Sequence, residues 1–326
     1  MALMTTIQAI NAGLHQEMQR DSSVIALGED IGYEGGVFRA TDGLQAKFGR
    51  DRVIDTPLAE ENIIATSIGM AAAGLRPIAE IQFSGFVGVA FNHIVNHCAR
   101  LYYRSRGKVK MPITIRTPSG GGIRALEHHC ECIEATYAHI PGLKVVCPSN
   151  PYDAKGLLAS AVRGDCTTMF LEPTRLYRAL KAEVPEEDYR VPIGVAKVVA
   201  EGDKVTMVSW GPQMKQALDA AEKAREHGIS CEVIDLRTIS PLDETDEVVK
   251  SVRKTGRLVV VQEAPKSFGV AAEVMARVNE RAFDSLQAPP MRVCGWDTQL
   301  PLGTNEDYFI PDTKRILAAV QKSAGY

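Results

Sequence analysis

The sequence lacks a CxxC pair, a marked charge excess and a long apolar run. Its seven cysteines are odd in number and show no CxxC spacing, which fits a reducing compartment better than a disulfide framework. A net charge of -3 gives no reason to expect nucleic acid or an anionic membrane as partner. No apolar stretch approaches the roughly 20 residues that cross a bilayer. The opening MALMTTIQAINAGLHQEMQRD has no basic n-region or small-residue cleavage site, so a secretory signal is not expected and the expected location is cytoplasmic. Phosphate and nucleophile signatures are missing as well. There is no GxGxxG after a strand, no P-loop and no GxSxG elbow. Gly120-Gly121-Gly122 sits in a loop that continues into more loop. No repeat of fixed period and no low-complexity tract occurs.

What is present is a globular composition, with 45% hydrophobic and 24% charged residues over a length that allows two domains. Apolar strand-like runs alternate with helical periodicity from Val24 to Leu171, and again from Val205 to Cys294. That alternation predicts an α/β fold of two doubly wound domains with parallel sheets. Between them AEVPEEDYRVP breaks the pattern. The expected division is a first domain over 1–185, a linker over 186–202 and a smaller second domain over 203–326. Helices are expected over Thr5 to Arg20 and Val87 to Tyr103, among others, and a strand over Ile78 to Phe83.

The stretch Asp55 to Phe86 holds the first candidate site. A turn at Thr56-Pro57 leads to Glu60 and Glu61 at the start of a helix whose Gly and Ala content predicts a buried face, packed closely on another helix. Free N–H groups at a helix start favour a charged carboxylate, whereas burial favours the protonated form. Phe86 follows the next strand at its carboxyl end, where α/β sheets place ligands. Histidines form the other constellations. His93 and His97 have the i, i+4 spacing of a zinc pair, but no Glu follows His93, so the hydrolytic motif is incomplete. His128-His129-Cys130-Glu131-Cys132 is too short a run to close a tetrahedral zinc site, and a loop histidine beside glycines suits proton transfer. These residues fit a shared ligand site without naming the ligand.

The succession GEDIG, DTPLAEENI, GMAAAGLRPIAEIQF, FNHIVNHCARLYYRS, HCECIEATYAHIPGLKVVCPSNPYDAKGLL and FLEPTRLYR resembles the beta subunit of thiamine-diphosphate-dependent 2-oxo acid dehydrogenases, a transketolase-like family. VSWG, CEVIDLRTISPLD, SVRKTGRLVVVQEAP, RVCGWDTQLP and YFIPD extend the resemblance over essentially the whole chain. It implies that the first domain binds the thiamine pyrimidine and that the second is the transketolase-type C-terminal domain, helping to dock a lipoyl acyltransferase core. Glu60 matches the glutamate that hydrogen-bonds the pyrimidine N1' atom, Phe86 the aromatic that stacks on that ring, and Glu29 an acidic position near it. His129 matches a histidine acting in the substrate pocket, in proton handling or in acyl transfer to lipoyl. Catalytic roles are therefore implied for Glu60 and His129, and cofactor contacts for Glu60, Phe86 and Glu29.

The fold group holds diphosphate and magnesium through a GDG segment and a distant Asn pair, neither of which is present. The resemblance thus implies a partner alpha subunit that holds most of the magnesium site, in an α2β2 heterotetramer. A potassium site near Ile113, Thr114 and Ala161 is also implied, but the family's Asp and Asn fall on Gly164 and Cys166. The usual His-Ser-Gln-Ser loop reads His129-Cys130-Glu131-Cys132, and Glu61-Asn62 follow Glu60 in place of the usual Met/Gly-type pair. EIQF, EVPEEDYRVP and RVCGWDTQLP lean toward branched-chain 2-oxo acids, with pyruvate or acetoin as alternatives. Two readings of other classes stand beside this one: a non-catalytic docking subunit, and a zinc hydrolase using His93, His97 and the cysteine-rich loop.

Overall fold

The computed structural model describes residues 1–326. Two compact units divide it, one of Met1–Ser119 with His128–Ile193 and the other of Gly120–Glu127 with Gly194–Tyr326. The division at Ile193 falls inside the stretch expected as a linker. The short excursion Gly120–Glu127, which folds with the second unit, has no counterpart in the expected boundaries.

The first unit is built on parallel strands in the spatial order Lys144–Val146, Thr168–Pro173, Thr114–Ser119, Arg76–Glu80, Val24–Gly28 and Val53–Asp55. Val24–Gly28 comes first in the chain and has the second and third of these strands on its two sides. This is a doubly wound sheet whose strand order reverses between Val24–Gly28 and Arg76–Glu80. On one face the helix Thr6–Arg20 begins at a capping box, in which Thr5 and Gln8 satisfy each other's backbone amides. Its Ile7, Ile10, Leu14 and Met18 are buried in the core. It packs on the helix Pro151–Arg163, where a Cβ on Gly13 would come within 3.1 Å of Leu158. Arg163 locks that pair through two bonds to the fully buried Glu17, at 2.6 and 2.9 Å. Ala2–Thr5 and Lys181–Val184 form a separate antiparallel ribbon.

The second unit has strands Met291–Gly295, Leu258–Pro265, Val205–Ser209 and Cys231–Asp235 in parallel, closed by the antiparallel edge strand Lys197–Ala200. Helices Met214–Glu226 and Thr313–Ala324 pack together beside it. Their small and branched residues, Ala217, Ala220, Ile316 and Val320, reach its core.

Two helical expectations need correction. Val87 to Tyr103 is not one helix: it opens as a 3-10 segment Ser84–Ala90 and takes π geometry over Ile94–Cys98, with single α-turns at Phe91–His93 and Leu101–Arg104. Gly85 explains the tight first part, because a Cβ there would lie 2.3 Å from the His128 carbonyl oxygen. Within the wider turn the Asn96 carbonyl accepts from the Arg104 guanidinium, which serves an oxygen that the altered ladder releases. The helix Glu60–Ala72 buries Glu60, Ile63, Ile64, Ser67 and Ala71. Its Gly and Ala side is uncovered in this chain: Ala72 and Ala73 are exposed, and a Cβ on Gly69 would meet nothing within 4 Å. The expected strand to Phe83 also stops early, at Glu80.

Candidate active site

Four adjacent strands of the first unit deliver the candidate residues to one edge. Glu29 directly follows Val24–Gly28, and Glu60 opens the helix after Val53–Asp55. Phe86 lies in the 3-10 segment after Arg76–Glu80, and His129 follows Thr114–Ser119 by way of the loop. All four therefore sit beyond carboxyl ends of parallel strands, around the place where the strand order reverses. In an open α/β sheet that crevice is where ligands bind.

Glu29 and Glu60 are both buried. Burial pushes the Glu29 carboxyl above its ordinary range, and the neighbouring Glu60 and Asp30 charges push the same way, against a hydrogen bond from the Ala59 backbone. The Oε1 atom of Glu29 is buried with no hydrogen-bond partner in the chain. Glu60 stands in the first turn of its helix, where Ala59 offers no side-chain cap and the free N–H groups favour a negative charge. The pair thus sets a carboxyl raised by burial beside one that stands at helix-start donors.

An aromatic cluster stands at the same edge. His129 lies 4.3 Å from the Phe83 ring and 5.2 Å from that of Phe86, the latter edge-on at 75°. The loop that carries it is pinned from the Phe86 segment. Gly85 N–H donates to the His128 carbonyl at 3.1 Å, and Ser84 Oγ donates to the Glu131 carbonyl at 2.8 Å. Ser119 Oγ reaches the same carbonyl at 3.3 Å. The helix of Glu60 packs against the Phe86 segment. His128 is exposed and Cys130 is buried, with Cys132 half-buried.

Metal expectations fare differently. No group of three or more His, Cys, Asp or Glu is placed to hold a metal. His93 Nε2 meets Glu61 Oε1 at 3.0 Å, so this histidine engages a carboxylate beside His97 instead of a zinc site. At the expected potassium position the Ile113 carbonyl accepts from Thr168 N–H at 2.9 Å, and that of Ala161 from Gly164 N–H at 3.1 Å. Arg76 Nε donates to the Val162 carbonyl at 2.8 Å, and its guanidinium also donates to the Gly164 carbonyl. Positive charge among these oxygens is therefore already supplied by Arg76. Thr114 Oγ1 is the buried atom there without a partner. This chemistry does not fit a potassium ion well.

Sequence reasoning missed a buried charge network under the site. Arg116 binds Glu172 through Nε and Nη2 at 2.7 and 3.1 Å, and Glu80 through Nη1 at 2.6 Å. Tyr177 Oη donates to Glu172 at 2.6 Å. Burial raises the Glu80 carboxyl against the pull of Arg116, and burial beside Glu172 raises the Tyr177 phenol far above its usual range. A usable signal was there: Glu80, Arg116 and Glu172 are charged residues set within the strands RPIAE, TIRTPS and TMFLEP.

Residues 2–179 match the family model "Transketolase, pyrimidine binding domain", and 194–316 match "Transketolase, C-terminal domain". The chain belongs to the transketolase family. Among curated relatives, a protein of Acholeplasma laidlawii named pyruvate dehydrogenase E1 component subunit beta is 51% identical over 99% of both chains. A protein of the same name from Bacillus subtilis is 48% identical over 99% of each. Within the transketolase-like family this chain is thus a beta subunit of a 2-oxo acid dehydrogenase of the thiamine-diphosphate-dependent kind. The fold agrees: a solved split-gene transketolase, an inactive beta4 tetramer, superposes with TM-score 0.80 at 24% identity over 99% of both chains. A Campylobacter jejuni transketolase gives TM-score 0.71 at 14% identity, with this chain spanning 47% of its length. The buried Glu29 oxygen without a partner and the aromatic cluster at the same strand edge fit a flat heterocycle with polar edges, as a thiamine pyrimidine would present.

Proposed function

We propose that this chain is the beta subunit of a pyruvate dehydrogenase decarboxylating component, working with an alpha subunit in an α2β2 assembly. The name shared by the relatives, at up to 51% identity over 99% of the chain, supports pyruvate over the branched-chain substrates toward which EIQF and RVCGWDTQLP lean. RVCGWDTQLP lies in the strand Met291–Gly295 and the turns after it, in the second unit, and EIQF covers the end of the strand Arg76–Glu80 and the residues up to Phe83.

The observation that carries the residue roles is the buried Glu29–Glu60 pair at the strand reversal. Thiamine diphosphate, when bound, supplies the electron sink for decarboxylating a 2-oxo acid. In this reading Glu60 holds a hydrogen bond at the pyrimidine N1' atom, and the raised Glu29 carboxyl supplies or retains a proton behind it. Phe86 offers its face to the ring and excludes water from that side. His129, held between Phe83 and Phe86 at the loop end, handles protons on the substrate side. The diphosphate and its magnesium belong to the alpha subunit, because this chain has no GDG segment. A lipoyl acyltransferase core takes the acyl group.

Co-purification with the alpha-type subunit encoded beside it, followed by assay of thiamine-diphosphate-dependent decarboxylation, tests this. Pyruvate turnover well above that of 3-methyl-2-oxobutanoate is the expected result. The reverse preference would restore the branched-chain reading, and a stable complex inactive on every 2-oxo acid would overturn the enzymatic one in favour of a docking subunit.

A further inference from the structure

Three cations that the candidate site does not use line one cleft of about 550 Å³ in the first unit. Arg39 comes from the turn after Gly36, Arg178 from the stretch that follows Thr168–Pro173, and Lys181 opens the ribbon strand Lys181–Val184. Gln8 and Asn11 of the helix Thr6–Arg20 line the cleft too. Asp42 is its one carboxylate, and Arg39 already holds it at 2.9 Å. Each wall is tied to the next. Asn11 Nδ2 donates to the Ala40 and Asp42 carbonyls at 2.9 and 3.0 Å, and Arg178 Nη2 donates to the Phe38 carbonyl at 3.1 Å. Ile7 N–H donates to the Tyr177 carbonyl at 3.2 Å, and strand register sets Lys181 opposite Thr5. Bonds within a single unit therefore fix the cleft on every side.

Arg39 carries the clearest sign of use. Its φ of +68° lies in the left-handed region, which a long side chain seldom adopts. Such strain persists where the surroundings over-determine it, and it gathers at ligand sites. Here Arg39 N–H donates to the Gly36 carbonyl at 2.9 Å, and its guanidinium donates to the Glu34 carbonyl and to Asp42. With Asp42 paired, the cleft keeps an excess of two positive charges, since neither Arg178 nor Lys181 meets a carboxylate. Like charges gathered in one cleft repel, and an anion of charge near -2 cancels that cost. Gln8 spends its side-chain oxygen on the helix cap, which leaves its amide hydrogens to donate. We propose that this cleft binds a small phosphate-bearing dianion. A phosphate monoester carries about -1.5 to -2 near neutral pH, which matches the excess, whereas a single carboxylate leaves half of it unmet. Guanidinium forks meet phosphate oxygens in pairs, and a lysine adds a point charge. The volume exceeds what inorganic phosphate fills and suits a small organic phosphate. This binding stands apart from the proposed function and does not depend on it.

Calorimetric titration of the full-length chain with glycerol 3-phosphate tests this, with glycerol at the same ionic strength as the blank. Saturable binding is expected. Arg178→Gln and Lys181→Gln should each weaken it ~10- to 100-fold, the loss of one hydrogen bond to a charged group. Arg39→Gly removes the third cation and suits the left-handed turn, so it should weaken binding as much without lowering the Tm of the unliganded chain. At ~100 times its dissociation constant the probe should raise the Tm of the first unit by ~5–10 °C, and it should raise that of the double variant Arg178→Gln, Lys181→Gln hardly at all. Tighter binding of glycerol 3-phosphate than of inorganic phosphate would assign the cleft to an organic phosphate, and equal binding to the free ion. No saturation by ~10 mM of either probe, or an affinity that all three substitutions leave unchanged, would overturn the proposal. So would binding that disappears once the chain is assembled with its alpha subunit and saturated with thiamine diphosphate, because the cleft would then be a subunit contact.

Discussion

Replacing Arg116 by Met leaves two carboxylates buried in the centre of a parallel sheet with no counter-charge. Arg116 is 2% exposed and Glu172 1%, and three hydrogen bonds of 2.6, 2.7 and 3.1 Å are lost together. Removing one partner of a buried ion pair costs about 3–5 kcal/mol, because the remaining charge is uncompensated. At ~2–4 °C per kcal/mol for a unit of this size, the first unit should melt ~6–20 °C lower. Thermal unfolding of the full chain, with the first unit's transition assigned by hydrogen exchange, reads this directly. The assignment matters because a two-unit chain need not unfold in one step. Two further outcomes follow from the same physics. Glu80, already raised by burial, should be raised further without Arg116, so the deficit should shrink as pH falls and protons neutralise the pair. The triple variant Glu80→Gln, Arg116→Met, Glu172→Gln carries no buried charge and should recover most of the loss. A deficit of Arg116→Met under about 1 kcal/mol, or a triple variant no more stable than the single one, would refute this reading of the network.

Glu60→Gln should lower turnover of the assembled complex ~100- to 10,000-fold, as loss of a proton-transferring carboxyl does, with subunit assembly unchanged by gel filtration; retained activity would remove Glu60 from the site. Glu29 has a raised carboxyl in the folded state, so the native chain holds its proton to higher pH than the unfolded one. Its contribution is therefore full at acid pH and is lost as pH rises through the native value. Glu29→Gln should flatten the fall of Tm between acid and neutral pH, and parallel Tm–pH curves would argue against the buried pair. Gly142→Ala should destabilise by roughly 1–3 kcal/mol in a urea titration, since φ is +98° and a Cβ would lie 2.2 Å from the Ala99 carbonyl oxygen.

The alternation of apolar strands and amphipathic helices was legible in the sequence, because periodicities of 2 and 3.6 follow from backbone geometry alone. So were the helix that the structure places at Thr6–Arg20 and the motifs that place the chain in its family. The helix expected over Val87 to Tyr103 was not, because Gly85 is drawn against the His128 backbone by a contact 43 positions away in the chain. Nor was the open Gly and Ala side of Glu60–Ala72, since small residues signal close approach without saying what approaches.

By itself the sequence determined the two α/β units, the carboxylates at the start of the helix, the aromatic and the histidine loop, all of which depend on residue type and local order. Tertiary structure decided what those residues face. Strand register puts Glu80 opposite Arg116, and the Arg116 side chain reaches Glu172 on the next strand; only the folded second unit brings Glu263 and Glu306 to the glycine loop. The amides of the glycine loop and the carboxylates that accept from them lie some 140 to 180 positions apart in the chain, and no local pattern encodes such a meeting.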